Sequence, residues 1–281
     1  PFQCAISLTK ILYKIRSLQQ TATLRHKSNI VTISNIPKEI IIPVKVHLDF
    51  PLSKKIAKEH GFRKRKKIKE IVYSILQETN KIFRRPSLNQ TITLKLLDTK
   101  FLRKTKNITM DEHATNYLRS YCELQNHQKE LEKKHYYSIL LTGLNLFYMN
   151  NGEKFTKSTG RSYKNGVCNV KKSCALIEWK PRNMAYLLAH EIGHSLGMPH
   201  DGPPNNSCAN FNGIMNAKYD PSNNPNTWSL CSRLHFEYFL RYIYFALPST
   251  KFVTYIIFRV FKIFSVLPFP VSYFTRIDTC Q

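Results

Sequence analysis

Apolar residues recur along this chain with two different periods, and where the period changes the predicted element changes. From Ile40 to Phe50 the run IIIPVKVHLDF is rich in β-branched residues and reads as a strand, with Pro43 favouring an early or edge position. Ile68, Ile71, Val72, Ile75, Leu76, Ile82 and Phe83 then repeat with the helical period, which predicts one long amphipathic helix ending near Arg85-Pro86. Ile92, Leu94 and Leu96 alternate with Thr91, Thr93 and Lys95, as the two faces of a strand require. Residues 116–134 read as a polar helix with a sparse apolar stripe through Leu118, Cys122, Leu124 and Leu131. YYSILLTGLNLFY, from Tyr136 to Tyr148, reads as a buried strand. A long loop from Gly152 to Ser173 carries a short edge strand near Ser162-Tyr163, and Leu176–Trp179 is the last strand. Pro181 opens the next helix, a position proline favours, and Ser232 caps a closing helix that runs through Leu240. Strands interspersed with helices place the chain in the α/β or α+β class.

The two ends differ from this body. Residues 1–37 hold a short amphipathic stretch, Leu8 to Leu18, and a polar lead up to Pro37, and read as a propeptide remnant or lead segment. Residues 38–241 form the main domain. From Tyr242 to Gln281 aromatic and β-branched residues dominate and acids vanish until Asp278. This tail is a poor membrane span, because Lys251, Arg259 and Lys262 interrupt it and Pro268 and Pro270 follow.

Charge adds a partner class. The net charge of +25 implies attraction to polyanions, glycosaminoglycans among them. The basic run RKRKKIK, Arg63 to Lys69, fits polyanion binding, a processing site for a basic-specific protease, or simply a solvated helix start. Seven cysteines without a CxxC pair argue for disulfides in an oxidising compartment rather than a zinc ribbon. Sequons at Asn89, Asn107 and Asn205 agree with secretion and oppose a nuclear, nucleic-acid-binding reading of the charge.

The chemistry is concentrated in HEIGHSLGMPHD, from His190 to Asp201. Helix positions four apart share a face, so His190 and His194 can aim both imidazoles at one ion. Glu191 stands beside the first ligand, where its carboxylate can reach a water and act as general base. Gly197 tolerates positive φ and can end the helix, returning His200 to the ion from another side. Three nitrogens and one open position result, a catalytic rather than a structural zinc pattern.

With those residues in view, the chain resembles the metzincin metalloproteases of the adamalysin (reprolysin) branch. HEIGHSLGMPHD fits HExxHxxGxxH followed by Asp201, while GVCNVKKSCALIEW (166–179) and WSLCS (228–232) resemble the thrombospondin-motif-bearing ADAM proteases and related venom and salivary toxins. The resemblance runs from about Ile40 to Arg241 and implies a twisted, mostly parallel sheet with long helices. A small irregular C-terminal subdomain after Gly197 and a zinc cleft between the two parts are also implied. It further implies Zn2+ as cofactor, protein or peptide substrates paired along an edge strand near Gly160 to Tyr163, and Met215 in GIMN as the Met-turn residue beneath the histidines. Two disulfides carry over: Cys122 with Cys174, and Cys208 with Cys231. The family partner of Cys168 has no counterpart just beyond Leu240, which suggests a tail foreign to the family, from read-through or mis-joining. The family's calcium positions fall on Pro43 or Val44 and Tyr137, so calcium is not expected. Cys4 lies where a zymogen-silencing cysteine would, and an unrelated thiol explains it as well.

Three functions follow. The first is a secreted zinc metalloendopeptidase with Glu191 activating the water. The second is a secreted polyanion- or receptor-binding module with structural zinc. The third is a defective product with an intact catalytic half.

Overall fold

The computed structural model describes residues 39–60, 65–102, 108–156, 159–208, 213–217, 225 and 227–246. The expected lead segment, Cys4, the sequon at Asn107, and Cys280 with the tail beyond Ala246 lie outside them. The elements in chain order are β1 (Glu39–Leu48), α1 (Phe50–His60), α2 (Arg65–Phe83), β2 (Thr91–Phe101), α3 (Ala114–Glu132), β3 (Tyr137–Thr142), β4 (Tyr148–Asn150), β5 (Glu153–Phe155), β6 (Gly160–Ser162), β7 (Cys174–Glu178), α4 (Met184–Ser195) and α5 (Leu230–Ala246). Five strands make one sheet in the order β2-β1-β3-β7-β6; β6 alone runs antiparallel to its neighbour. The fold is the mostly parallel α/β arrangement expected of a metzincin catalytic domain.

Strict alternation explains why the sheet is covered on both faces. Ile40, Ile42, Val44, Val46 and Leu48 of β1 join Tyr137, Ile139 and Leu141 of β3 and Ala175 and Ile177 of β7 in the core shared with α2 and α4. The intervening Leu140, Cys174 and Leu176 enter a second core under α3 with Tyr117, Leu118, Tyr121 and Cys122. Each fully buried aliphatic side chain here contributes about 1.5–3 kcal/mol.

Several local differences from the sequence-based expectations have physical causes. β1 is interior, not an edge; Pro43 is tolerated because β3 pairing begins only at Val44, so Pro43 faces one strand, β2. The predicted strand 136–148 breaks at Gly143, where the backbone abuts α1 so closely that a Cβ would sit 2.6 Å from the Leu52 nitrogen. There the Gly143 N–H donates to Asp49 Oδ1 at 3.2 Å instead of continuing the ladder. Asp49 is 1% exposed and also accepts from Leu52 N–H, Tyr117 O–H and Thr142 Oγ1–H, fastening β1, α1, α3 and β3 together. On α3 the buried stripe is Tyr117, Leu118, Tyr121, Cys122, Gln125 and Lys129, while Leu131 is exposed. α4 starts at Met184 rather than Pro181, because the chain first closes a turn with Asn183 N–H donating to Lys180 O. The cap of α5 is Ser229, whose Oγ accepts from Ser232 N–H at 2.9 Å; Ser232 itself lies inside the first turn. α5 then runs past Arg241 to Ala246. Arg65, Lys66, Lys67 and Lys69 of the basic run start α2 exposed, with Ile68 alone turned inward. No helix among the described residues is long and apolar enough to cross a membrane.

Candidate metal centre and cleft

α4 carries the histidines because its other side is apolar. Met184, Leu187, Leu188, Ala189 and Ile192 are buried against the sheet and α2, and Ser195 Oγ hydrogen-bonds Tyr137 Oη at 2.6 Å, which ties the helix end to β3. The helix ends as a Schellman turn: Gly197 has φ +92°, its N–H donates to His194 O, and Met198 N–H reaches Gly193 O. A Cβ on Gly197 would also stand 2.9 Å from both Asn165 Oδ1 and Phe239 Cβ, so glycine is required for fit as well as for conformation.

The turn brings His200 back to the helix. Its Nε2 lies 3.2 Å from His190 Nε2 and 3.1 Å from His194 Nε2. On the far side of two rings, His190 Nδ1 is 2.7 Å from Ile214 O and His194 Nδ1 is 2.8 Å from Met198 O. A carbonyl can only accept, so each Nδ1 carries the proton and each Nε2 presents a lone pair inward. Lone pairs crowded this way repel unless a cation lies between them. Nitrogens around tetrahedral zinc at about 2.0–2.1 Å would be about 3.3 Å apart, close to the spacing seen. Burial, then the neighbouring imidazoles, hold His190 at about 4 and His194 well below the usual histidine range; burial and the Arg161 charge also lower His200. Each shift favours the neutral imidazole, the form that can bind a cation. These residues fit zinc.

Glu191 is 6% exposed and borders the same cleft. Ser162 on β6 donates to its Oε2 at 2.9 Å and lies 2.7 Å from its backbone carbonyl, which turns the carboxylate toward the sheet edge. Burial pushes this carboxyl up to about 7, against the hydrogen bond from Ser162 and the charge of Arg161. A bound dication would pull it back down. Gly160 lies against the same carboxylate: a Cβ there would be 2.8 Å from Oε1.

Beneath the helix, Met215 is fully buried, and a Cβ on Gly193 would meet its Sδ at 2.6 Å. Met215 O accepts from Asp201 N–H at 2.9 Å. Asp201 Oδ1 in turn accepts from Ser229 Oγ at 2.5 Å and Ser232 Oγ at 3.2 Å, so the His200 segment is pinned to the start of α5. Asn206 Nδ2 donates to His200 O at 2.9 Å, while its Oδ1 accepts from Gly202 and Cys208 N–H. Bonds Cys208–Cys231 and Cys122–Cys174 are both present, and Cys168 pairs with no cysteine among the described residues, its thiol pushed up to about 12 by burial. The structure thus brings His190, Glu191, His194 and His200 together, with Met215 behind them. Ser162 and Asp201 stood in the sequence only as part of an edge strand and as the residue closing the motif, and Asn206 was not singled out; the structure shows all three as supports.

Comparison with known proteins agrees with this geometry. Residues 53–243 match the Reprolysin (M12B) family zinc metalloprotease profile. The chain is 28% identical over 219 residues to human "A disintegrin and metalloproteinase with thrombospondin motifs 16", covering 77% of this chain and 17% of that protein. It is 29% identical over 196 residues to the human protein with thrombospondin motifs 6, covering 64% and 17%, and 30% identical over 196 residues to the human protein with thrombospondin motifs 7, covering 66% and 11%. This chain therefore spans less than a fifth of the length of these relatives. Among solved structures, metalloproteinase-II from Bacteroides fragilis aligns at 17% identity over 73% of this chain and 56% of that one, with a TM-score of 0.47, a likeness too slight to carry an argument. With most of its length matched and a three-histidine centre suited to the metal, the chain belongs to the reprolysin (M12B) family of adamalysin-type metzincins, whose cofactor is zinc.

Proposed function

We propose that this chain is an active zinc endopeptidase in which residues 38–241 form the catalytic domain, His190, His194 and His200 hold the metal and Glu191 is the general base. The observation that carries this reading is the pairing of three inward-facing Nε2 atoms with one buried carboxylate on a cleft that opens along the sheet edge. Zinc held there by His190, His194 and His200 would supply a Lewis acid able to make a water nucleophilic near neutral pH and to polarise a carbonyl. Glu191 takes a proton from that water and delivers it to the leaving amine, with Ser162 keeping the carboxylate in place. β6 is the edge strand of the sheet and supports an extended peptide by strand addition. Met215 fills the floor under α4 and binds no metal.

Secretion and extracellular protein substrates are part of the proposal. Two disulfides support it, as do the exposed sequon residues Asn89 and Asn205. The exposed Arg65, Lys66, Lys67 and Lys69 support an accessory contact with glycosaminoglycans or another polyanion. The deciding experiment compares wild type with Glu191→Ala on a peptide library, with and without chelator. Chelator-sensitive cleavage should fall about 10³-fold or more in the variant at unchanged zinc content. Cleavage by a zinc-loaded Glu191→Ala chain at near wild-type rate would refute the assignment.

A further inference from the structure

The cleft has a charge bias that the peptidase chemistry does not use. Among the described residues that line it, Glu191 is the only acid, and it faces the metal centre. Two cations, Arg161 and Lys164, stand at the β6 rim. Both are exposed, and neither forms an ion pair with an acid among the described residues. Their fields fall on the centre itself: that of Arg161 reaches Glu191 and His200, and that of Lys164 reaches His194. Placement follows from the strand period. Gly160 and Ser162 turn toward Glu191, so Arg161 between them turns to the opposite face of β6. A peptide added to the free edge of β6 would have side chains directly across from Arg161 and, just past the strand, beside Lys164.

We propose that Arg161 and Lys164 make this cleft selective for acidic peptides, favouring Glu or Asp and disfavouring Lys or Arg at the substrate positions that flank the scissile bond along β6. This inference rests on strand addition in the cleft, and deepens the peptidase reading by naming its substrate class. Attraction and repulsion both contribute to discrimination, so a Glu-for-Lys exchange in the peptide is felt twice. Exposure keeps each contact modest, and the two together correspond to about a tenfold preference at low salt. The preference shrinks as salt rises.

The experiment uses one peptide series in which Glu, Gln or Lys is moved through the residues around a fixed scissile bond. Binding is read on the zinc-loaded full chain carrying Glu191→Ala, and cleavage on the wild-type chain. Tighter binding and higher kcat/KM for Glu than for Lys are expected, with the order inverted by Arg161→Glu/Lys164→Glu. Because the whole molecule carries +25, a second pair of reversals, Lys54→Glu/Lys55→Glu on the exposed side of α1, changes the net charge equally and should leave the preference standing. Equal binding of all three peptides, or equal loss of preference from both pairs, overturns the proposal. Selective binding without cleavage of any peptide would support it while refuting the peptidase reading.

Discussion

Replacing Gly160 with alanine adds one methyl group at the point where β6 meets the proposed base. The new Cβ would lie 2.8 Å from Glu191 Oε1, 2.9 Å from Glu191 Cγ and 2.9 Å from Leu176 O. Ordinary contact begins near 3.4 Å, so about 0.6 Å must be found somewhere. Leu176 O belongs to the neighbouring strand β7 and is held by the sheet, so β6 must ease off it slightly while the Glu191 side chain moves as well. Its Oε2 is held by Ser162, so that movement also strains the hydrogen bond that orients it. Overpacking of this kind costs about 1–3 kcal/mol of stability. A displacement approaching 1 Å at a catalytic group costs roughly 10²-fold in rate. We expect Gly160→Ala to fold, to bind a full equivalent of zinc, and to lose between about ten- and a hundredfold in kcat with KM little changed. A fluorogenic peptide assay, metal analysis and a denaturant melt on the same preparation check this. Wild-type kcat in a folded, zinc-loaded variant would show that Glu191 is not seated against β6 as described.

Gly193→Ala should destabilise although alanine favours helix by about 1 kcal/mol, because its Cβ meets the buried Met215 Sδ at 2.6 Å; urea melts in which the variant equals or exceeds wild type would contradict the packing. Asp201→Ala leaves Ser229 and Ser232 without their shared acceptor and loosens the segment bearing His200, so a loss of about 1–3 kcal/mol is expected together with weaker zinc retention in a chelator titration. Lys129 is 3% exposed and donates to Ser173 O and Oγ; burial, then Lys45, lowers its pKa to about 7. Since the folded value lies below the unfolded one, its contribution is lost as pH falls to 7 and grows as pH rises toward 10.5, by at most about 1.4 kcal/mol per pH unit. Stability of the wild type relative to Lys129→Met should therefore climb between pH 7 and 9.5 in urea melts, and a constant difference would show that Lys129 titrates normally.

Much of the centre was legible because its parts are close in sequence. His190, Glu191 and His194 share one turn and a half of helix, and Gly197 followed by His200 needs only a Schellman turn, so local geometry alone converges them. The alternation that fills both cores was legible for the same reason, since strand and helix periods are local properties. Places where a residue serves a distant partner were not. Pro43 looked like an edge residue because nothing nearby says where β3 begins to pair. Gly143 looked like part of a strand because the backbone of Leu52 against it lies some ninety residues earlier.

The sequence by itself thus determined the element types, the three clustered imidazoles, the adjacent carboxylate and the metal they suit, all consequences of spacing on one helix and one turn. Only the tertiary structure decided how those groups are aimed. The carbonyl of Ile214 selects the His190 tautomer, Ser162 turns Glu191, and the bonds of Asp201 to Ser229 and Ser232 hold the returning segment. Backbone carbonyls leave no mark on residue identity, and a hydroxyl twenty-nine residues upstream of a carboxylate is one serine among many until the sheet edge and the helix meet. Aim depends on contacts between elements, and those exist only once the sheet is closed by its helices.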